Sequence, residues 1–414
     1  MKRFILIVAL LFFVFLSEAQ VSQWRGPMRD GKFDEPGLLK AWPAGGPQLV
    51  LTVEGIGKGF SSPIAEGNFI YTTGMIDSMD CVSCIELSGT VKWKTVCGKS
   101  WMKSFPDTRG SVTIDGDRLY VISGEGELVC INKTSGEIIW KVDVDKEFES
   151  ERHTWGVSET PQIVDDKVIC TPGGKRTSVV AFNKLNGDKI WESQCVGGQR
   201  AYTSPTFFQY KNFRYILATT ANNLIALVPE TGKVAWTFDY FKEGVWEWQP
   251  GLIWANTPIF KDDEIYISKG YDFPSVMLKM DSLGTSVSKK WVDHTLDNHH
   301  HGVVEVDGKI YGSNWKSNRD GKWVCMDWNT GEIEYVADWF SKGAMVYADG
   351  MLYVYEERTG NVGLVKPDPK GFEVVSSFKI EKGTGPHWAH PFIANGRLYL
   401  RHGDVLMVFN ISNE

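Results

Sequence analysis

A small-residue turn followed by an aliphatic strand recurs eight times along the chain, about every 45 residues, and most copies close on a Gly-x-x-x-Trp step. Tyr71, Tyr120, Tyr266, Tyr311, Tyr353 and Tyr399 mark one point in six of the copies; Ile169 and the Phe213–Tyr215 stretch occupy it in the other two. The closing aromatics run Trp93, Trp140, Trp191, Trp236 and Trp291, then Tyr335 and Phe378. A unit of this length built from short strands cannot bury its apolar face alone, so neighbouring units must stack. The period therefore predicts an all-β chain: an eight-bladed β-propeller of four-stranded antiparallel blades around a central axis.

The second copy shows the pattern. Ser111–Ile114 reads as a short strand, Asp115-Gly116 as a hairpin turn, and Arg118–Ile122 as the next strand. Gly124-Glu125-Gly126 turns the chain into Glu127–Ile131, and Asn132-Lys133-Thr134-Ser135-Gly136 turns it again before Glu137–Val142. The eighth copy ends at Phe409 and Asn410 without a fourth strand. Gln48–Val53, near the start, has no other partner and is predicted to close that last blade, which leaves no open sheet edge in the ring.

Ahead of it, Lys2 and Arg3 precede the apolar run Phe4–Leu16, and Ser17-Glu18-Ala19 offers a cleavage point before Gln20. The expected organisation is a signal peptide over 1–19 and one propeller domain over 20–414, exported to a bacterial periplasm or beyond. The apolar run is too short for a membrane span. A net charge of −7 with no long basic run speaks against nucleic acid as a partner. Seven cysteines include Cys81-x-x-Cys84, which invites a redox reading. Repeat phase supplies another account: Cys84, Cys130 and Cys325 share a strand position with Ala181 and Ala226, where a small apolar side chain is wanted.

The run Cys130-Ile131-Asn132-Lys133-Thr134-Ser135-Gly136-Glu137-Ile138-Ile139-Trp140 resembles the tryptophan-docking motif of pyrroloquinoline-quinone-type propellers. That family includes quinoprotein alcohol dehydrogenases and the outer-membrane assembly propeller lipoprotein. Ala226–Trp236 matches again, and Ala181–Trp191 matches apart from Asn186. The opening Trp24-Arg25-Gly26-Pro27-x-Arg29-Asp30-Gly31 resembles the start of many exported bacterial members. The resemblance spans nearly all of the chain after the signal segment and implies a fold more than an activity.

In a propeller the first strand of each blade lies nearest the axis, so its lead-in lines the mouth of the hub. The eight lead-ins align at Ser62, Ser111, Thr160, Ser204, Thr257, Gly302, Ala344 and His390. Two places earlier stand Arg109, Tyr202, His300, Lys342 and Trp388; one place earlier stand Glu159, Asn256 and His301. Six of the eight histidines (His153, His299, His300, His301, His387 and His390) fall near these lead-ins. Histidine serves as acid, base or metal ligand near neutral pH, although consecutive histidines also simply fill a polar loop. If Asn298–His301 is extended, His299 and His301 share a face and His300 takes the other. A divalent metal held by His299, His301 and His390 is one expectation, with Glu159 a further ligand. Trp388 and Trp155 offer flat faces for sugar rings, or pack between blade tips. Trp246-Glu247-Trp248-Gln249 lies in the longest inter-blade insertion.

Three functions fit. The expected one is elimination on an acidic, uronate-containing oligosaccharide, by a carbon–oxygen lyase. His300 serves as base, Arg109 and Lys342 clamp the carboxylate, Tyr202 is the acid, and Glu159, Asn256, Trp388, Trp155 and His387 hold the substrate. The alternative is a non-catalytic binding or assembly scaffold with a cell-envelope protein partner. The third is a quinone-dependent sugar or alcohol dehydrogenase. Pyrroloquinoline quinone is not expected as a cofactor, because no adjacent Cys-Cys pair and no axis-facing Asp beside a calcium ion can be read.

Overall fold

A computed structural model describes residues 21–152, 154–245 and 253–413. The expected signal peptide, His153 and Trp246-Glu247-Trp248-Gln249 lie outside the described residues. Eight sheets follow one another around a ring, each built on four antiparallel strands read from axis to rim, with a fifth, parallel strand added to the seventh. The second blade is Thr113–Asp115, Arg118–Ile122, Glu127–Asn132 and Ile138–Asp143, within a residue or two of the predicted strands. The last blade takes Phe392–Ala394, Arg397–His402 and Val405–Asn410 from the end of the chain and Gln48–Val53 from its start, with Gln48 opposite Asn410. The only helix among the described residues is Val144–Glu147, so none is long and apolar enough to cross a membrane.

The repeat signature has a direct physical cause. In five of the blades a small third-strand residue lies between two larger ones: Cys130 pairs with Tyr120 on one side and Trp140 on the other, and Cys84 with Tyr71 and Trp93. Ala181 faces Ile169 and Trp191, and Cys325 faces Tyr311 and Tyr335. The tryptophan then crosses the seam. Trp140 Nε1 donates to the carbonyl of Lys184 at 3.2 Å, Trp191 Nε1 to Pro229 at 3.0 Å and Trp291 Nε1 to Trp328 at 3.1 Å, each in the following blade. A methyl group on Gly187 would sit 2.8 Å from the Trp140 ring, and Gly187 has φ +77. The turn glycine thus opens its own hairpin and receives the previous blade's indole. In the fourth blade Leu217, rather than the Phe213–Tyr215 stretch, holds the tyrosine position, opposite Ala226. That strand, Phe213–Thr219, is longer at its outer end than its counterparts, and this shifts the register.

All seven cysteines are free and six are buried. Cys81 and Cys84 are three residues apart on one strand and therefore point to opposite faces, which excludes a bond between them.

The lead-ins share a register. The Ser62 amide donates to Ser111 Oγ at 2.9 Å, Ser111 to Thr160 Oγ1 at 3.2 Å, Thr160 to Ser204 Oγ at 2.9 Å, and Ser204 to Thr257 Oγ1 at 3.2 Å. This belt of hydroxyls links five consecutive blades around the axis.

The hub itself is filled from the end opposite the mouth by residues 22–33. Ser22 bridges Ile114, and Lys32–Phe33 adds a parallel strand to Gly343–Ala348 on the axis side of the seventh blade. Between them two arginines reach inward. Arg29 donates to the carbonyls of Thr160, Pro161 and Pro205 at 2.7–2.8 Å, and Arg25 to those of Val303 at 2.6 Å and of His301 and Met345 at 3.1 Å. Both are at most 2% exposed. Backbone carbonyls at the inner strand starts, which the hub would otherwise leave unpaired, are satisfied by these two forks.

Candidate functional site

The mouth lies at the end where the chain passes from the outer strand of one blade to the inner strand of the next. Its chemical centre is Glu357, in the turn after Met351–Glu356. Its Oε2 accepts from Trp388 Nε1 at 2.9 Å and lies 3.0 Å from His301 Nε2 and 3.7 Å from His300 Nε2. Its Oε1 pairs with the fully buried Lys342 Nζ, which also donates to the Ser317 carbonyl at 2.9 Å. Burial opposes the carboxylate, but His301, then His300 and Lys342, overcome it and hold Glu357 at about 2. Burial, followed by His301, pushes His300 well below the ordinary histidine value. That side chain retains 23% exposure and faces the mouth.

His300 and His301 do not alternate as an extended strand requires. The chain bends at this pair and the two rings come within 4.1 Å, both turned to Glu357. The carbonyls of the run are held from three directions. Asn256 Nδ2 donates to the Asn298 and His299 carbonyls, His390 Nε2 lies 3.0 Å from the His300 carbonyl, and Arg25 donates to that of His301. Gly302 follows with φ +71, and a methyl group there would meet the Arg25 guanidinium at 2.2 Å.

The other candidates divide into two groups. Arg109 is at the mouth but across a wall of rings: its guanidinium lies 6.0 Å from the centre of Phe60, whose ring is 4.9 Å from Trp388. It donates to the carbonyls of Ser104, Phe105 and Asp107. Tyr202 accepts the Trp155 amide at 2.8 Å and packs on the Trp155 ring at 5.2 Å; burial raises its pKa. The rest lie behind the mouth. Glu159 accepts the Thr171 amide, sits 4.0 Å from Arg200, and is pushed up to about 7 by burial. His387 is bonded to Tyr355 and stacked 3.6 Å from His402; burial and then His402 push it down to about 3. His390 packs on Trp24 and Arg25, while His299 is buried against Tyr271 at 4.5 Å.

The metal set expected from sequence is not the one the fold assembles. One ring nitrogen each of His300 and His301 and a Glu357 oxygen all lie within 4.8 Å of one another, whereas His299 and His390 face other partners. Glu159 is in the third blade, against Arg200. Sequence reasoning missed Glu357 because it considered only lead-ins to inner strands, and Glu357 stands on the turn between the second and third strands of its blade.

A sequence model of the family described as outer membrane protein assembly factor BamB matches residues 78–362, well over half of the chain. The chain belongs to that family. The resemblance read from the docking motifs is thereby shown. Among solved structures, BamB from Moraxella catarrhalis superposes with a TM-score of 0.63 at 16% identity, covering 88% of this chain and 99% of that one. Quinohemoprotein alcohol dehydrogenase from Comamonas testosteroni gives 0.65 at 12% identity, covering 94% and 79%. In sequence, quinoprotein alcohol dehydrogenase PedH of Pseudomonas putida is 27% identical over 95 residues, 22% of this chain and 15% of that protein. The chain thus spans a small part of that curated relative.

These findings overturn the expected elimination on uronates. The matching family is described as an outer-membrane assembly factor and the curated relative as an alcohol dehydrogenase, and neither description is that of a carbon–oxygen lyase. The geometry agrees, since Lys342 is tied to Glu357 and Arg109 to loop carbonyls, leaving neither to clamp a substrate carboxylate. Pyrroloquinoline quinone, which the fold family implies, fits the mouth poorly for the same reason. It is a planar tricarboxylate, and Lys342 and Arg109 already have partners.

Proposed function

We propose that this chain is a non-catalytic binding propeller of the bacterial cell envelope, whose mouth face engages a protein partner in assembly. One observation carries the reading: the charged groups of the mouth satisfy one another, while the loops around them expose apolar side chains. Phe105 is 55% exposed, Phe340 62% and Met102 49%, all on connections that run between blades at the mouth end. Phe105 also packs 5.3 Å from Trp388, which joins the outer loop to the centre. Aromatic and methionine side chains around a self-neutralised polar centre suit a protein interface. Membership in the BamB family and coverage of nearly the whole Moraxella protein support an assembly role. Export by a cleaved leader belongs to the same proposal.

The test is affinity purification of the chain from its own envelope fraction, with dye reduction measured in parallel after addition of quinone, calcium and alcohols. Stoichiometric recovery of an outer-membrane assembly component with no dye reduction supports the reading. Quinone-dependent turnover without a protein partner contradicts it.

A further inference from the structure

Beyond partner binding, the geometry points to a divalent transition-metal site formed by His300, His301 and Glu357 at the floor of the mouth. Three side chains from two separate segments bring their ligand atoms together: two imidazole nitrogens and one carboxylate oxygen, within 4.8 Å of one another, with both Nε2 atoms 3.0–3.7 Å from Glu357 Oε2. Two imidazoles and one carboxylate are a donor set for zinc, iron, cobalt or nickel in the divalent state. A hard ion such as calcium takes six to eight oxygens, and Glu357 is the sole carboxylate in the cluster.

The site is also supported from behind, as ligating side chains generally are. Lys342 Nζ holds the Glu357 oxygen that does not face the histidines, and Trp388 Nε1 donates to the one that does. The backbone carrying both rings is pinned by Asn256, His390 and Arg25. A second observation bears on the ligands themselves. His301 is fully buried and its Nδ1 has no hydrogen-bond partner, so moving its proton from Nε2 to Nδ1 breaks no other bond while freeing Nε2 for an ion. The pair His301 Nε2 and Glu357 Oε2, now sharing a hydrogen at 3.0 Å, would share the ion instead. His300, partly exposed, leaves the remaining coordination positions directed to the mouth, where a side chain of a partner or water completes them.

Untagged protein, stripped with a chelator and dialysed, is titrated with zinc by calorimetry and with cobalt by visible absorption. One equivalent of zinc binds, cobalt produces d–d bands, and calcium produces no saturable heat. His300→Ala and Glu357→Gln each weaken zinc binding about tenfold or more. His294→Ala, at an exposed histidine that is not one of the three ligands, leaves it unchanged, and circular dichroism confirms that all variants are folded. The proposal fails if zinc does not bind at one equivalent, if calcium is preferred, if the two mouth variants bind as tightly as the parent, or if His294→Ala loses binding to the same extent.

Discussion

Replacing Arg29 with methionine tests whether the hub is held shut by its arginines. Methionine keeps most of the aliphatic stem and removes the guanidinium fork. Three carbonyls lose a charged donor, those of Thr160, Pro161 and Pro205. Pro161 retains the Thr113 hydroxyl at 2.6 Å, so two carbonyls remain buried without a donor, and Gln23 Oε1, which accepts from Arg29 Nε at 2.9 Å, loses its donor as well. Each orphaned group costs about 1–3 kcal/mol. Burying the guanidinium is itself unfavourable, since desolvation lowers its pKa to about 9, and its removal offsets part of the loss. The balance is about 3 kcal/mol. With an unfolding entropy of about 2 cal/mol/K per residue, a chain of this length should lose about 3–4 °C in Tm. Thermal unfolding by circular dichroism, with the urea midpoint as a second measure, reads this directly. Arg29→Lys should fall between the two, because a single ammonium nitrogen lacks the planar fork that reaches the three carbonyls from two nitrogens. A methionine variant within about 1 °C of the parent would mean that water satisfies those carbonyls and that the arginine does not clasp the blades.

Two further outcomes follow from the same contacts. Gly187→Ala forces a methyl group into the Trp140 ring at a positive φ and should lower the urea midpoint by an amount corresponding to about 2 kcal/mol; the same change at Gly116, where nothing lies within 4 Å, should cost less. Glu357, held at about 2 in the fold against an ordinary carboxylate value of 4.5, contributes stability that is fully present above pH 4.5 and lost as pH falls toward 2. Urea midpoints across that window should decline less in Glu357→Gln than in the parent.

The ring was legible in the sequence because most repeats place the same kinds of residue in contact. Cys130 between Tyr120 and Trp140 is a packing unit, and four similar units, around Cys84, Ala181, Ala226 and Cys325, fix the period regardless of turn chemistry. The lead-in register was legible for a related reason: Ser62, Ser111, Thr160, Ser204 and Thr257 bond to one another around the axis. The site was only half legible. Lead-in positions located His300, His301, Lys342 and Trp388, but the group that organises them stands on a different turn, outside that register. Nor does a residue pattern state that a side chain is already engaged. Arg109 reads as a free anion clamp until the carbonyls of Ser104, Phe105 and Asp107 are seen around it. Arg25 and Arg29 read only as part of a family-like opening, since their partners are main-chain carbonyls more than a hundred residues away.

The role assigned to the mouth face is tested most directly by photo-crosslinking in the living envelope, with a photoreactive residue at Phe105 or Phe340 on that face and at Leu185 or Leu283 on the opposite turns. All four side chains are exposed, so accessibility alone does not separate them. The account predicts one discrete protein adduct from each mouth position and none from the opposite end. Adducts confined to Leu185 and Leu283, or none at the mouth, would contradict it.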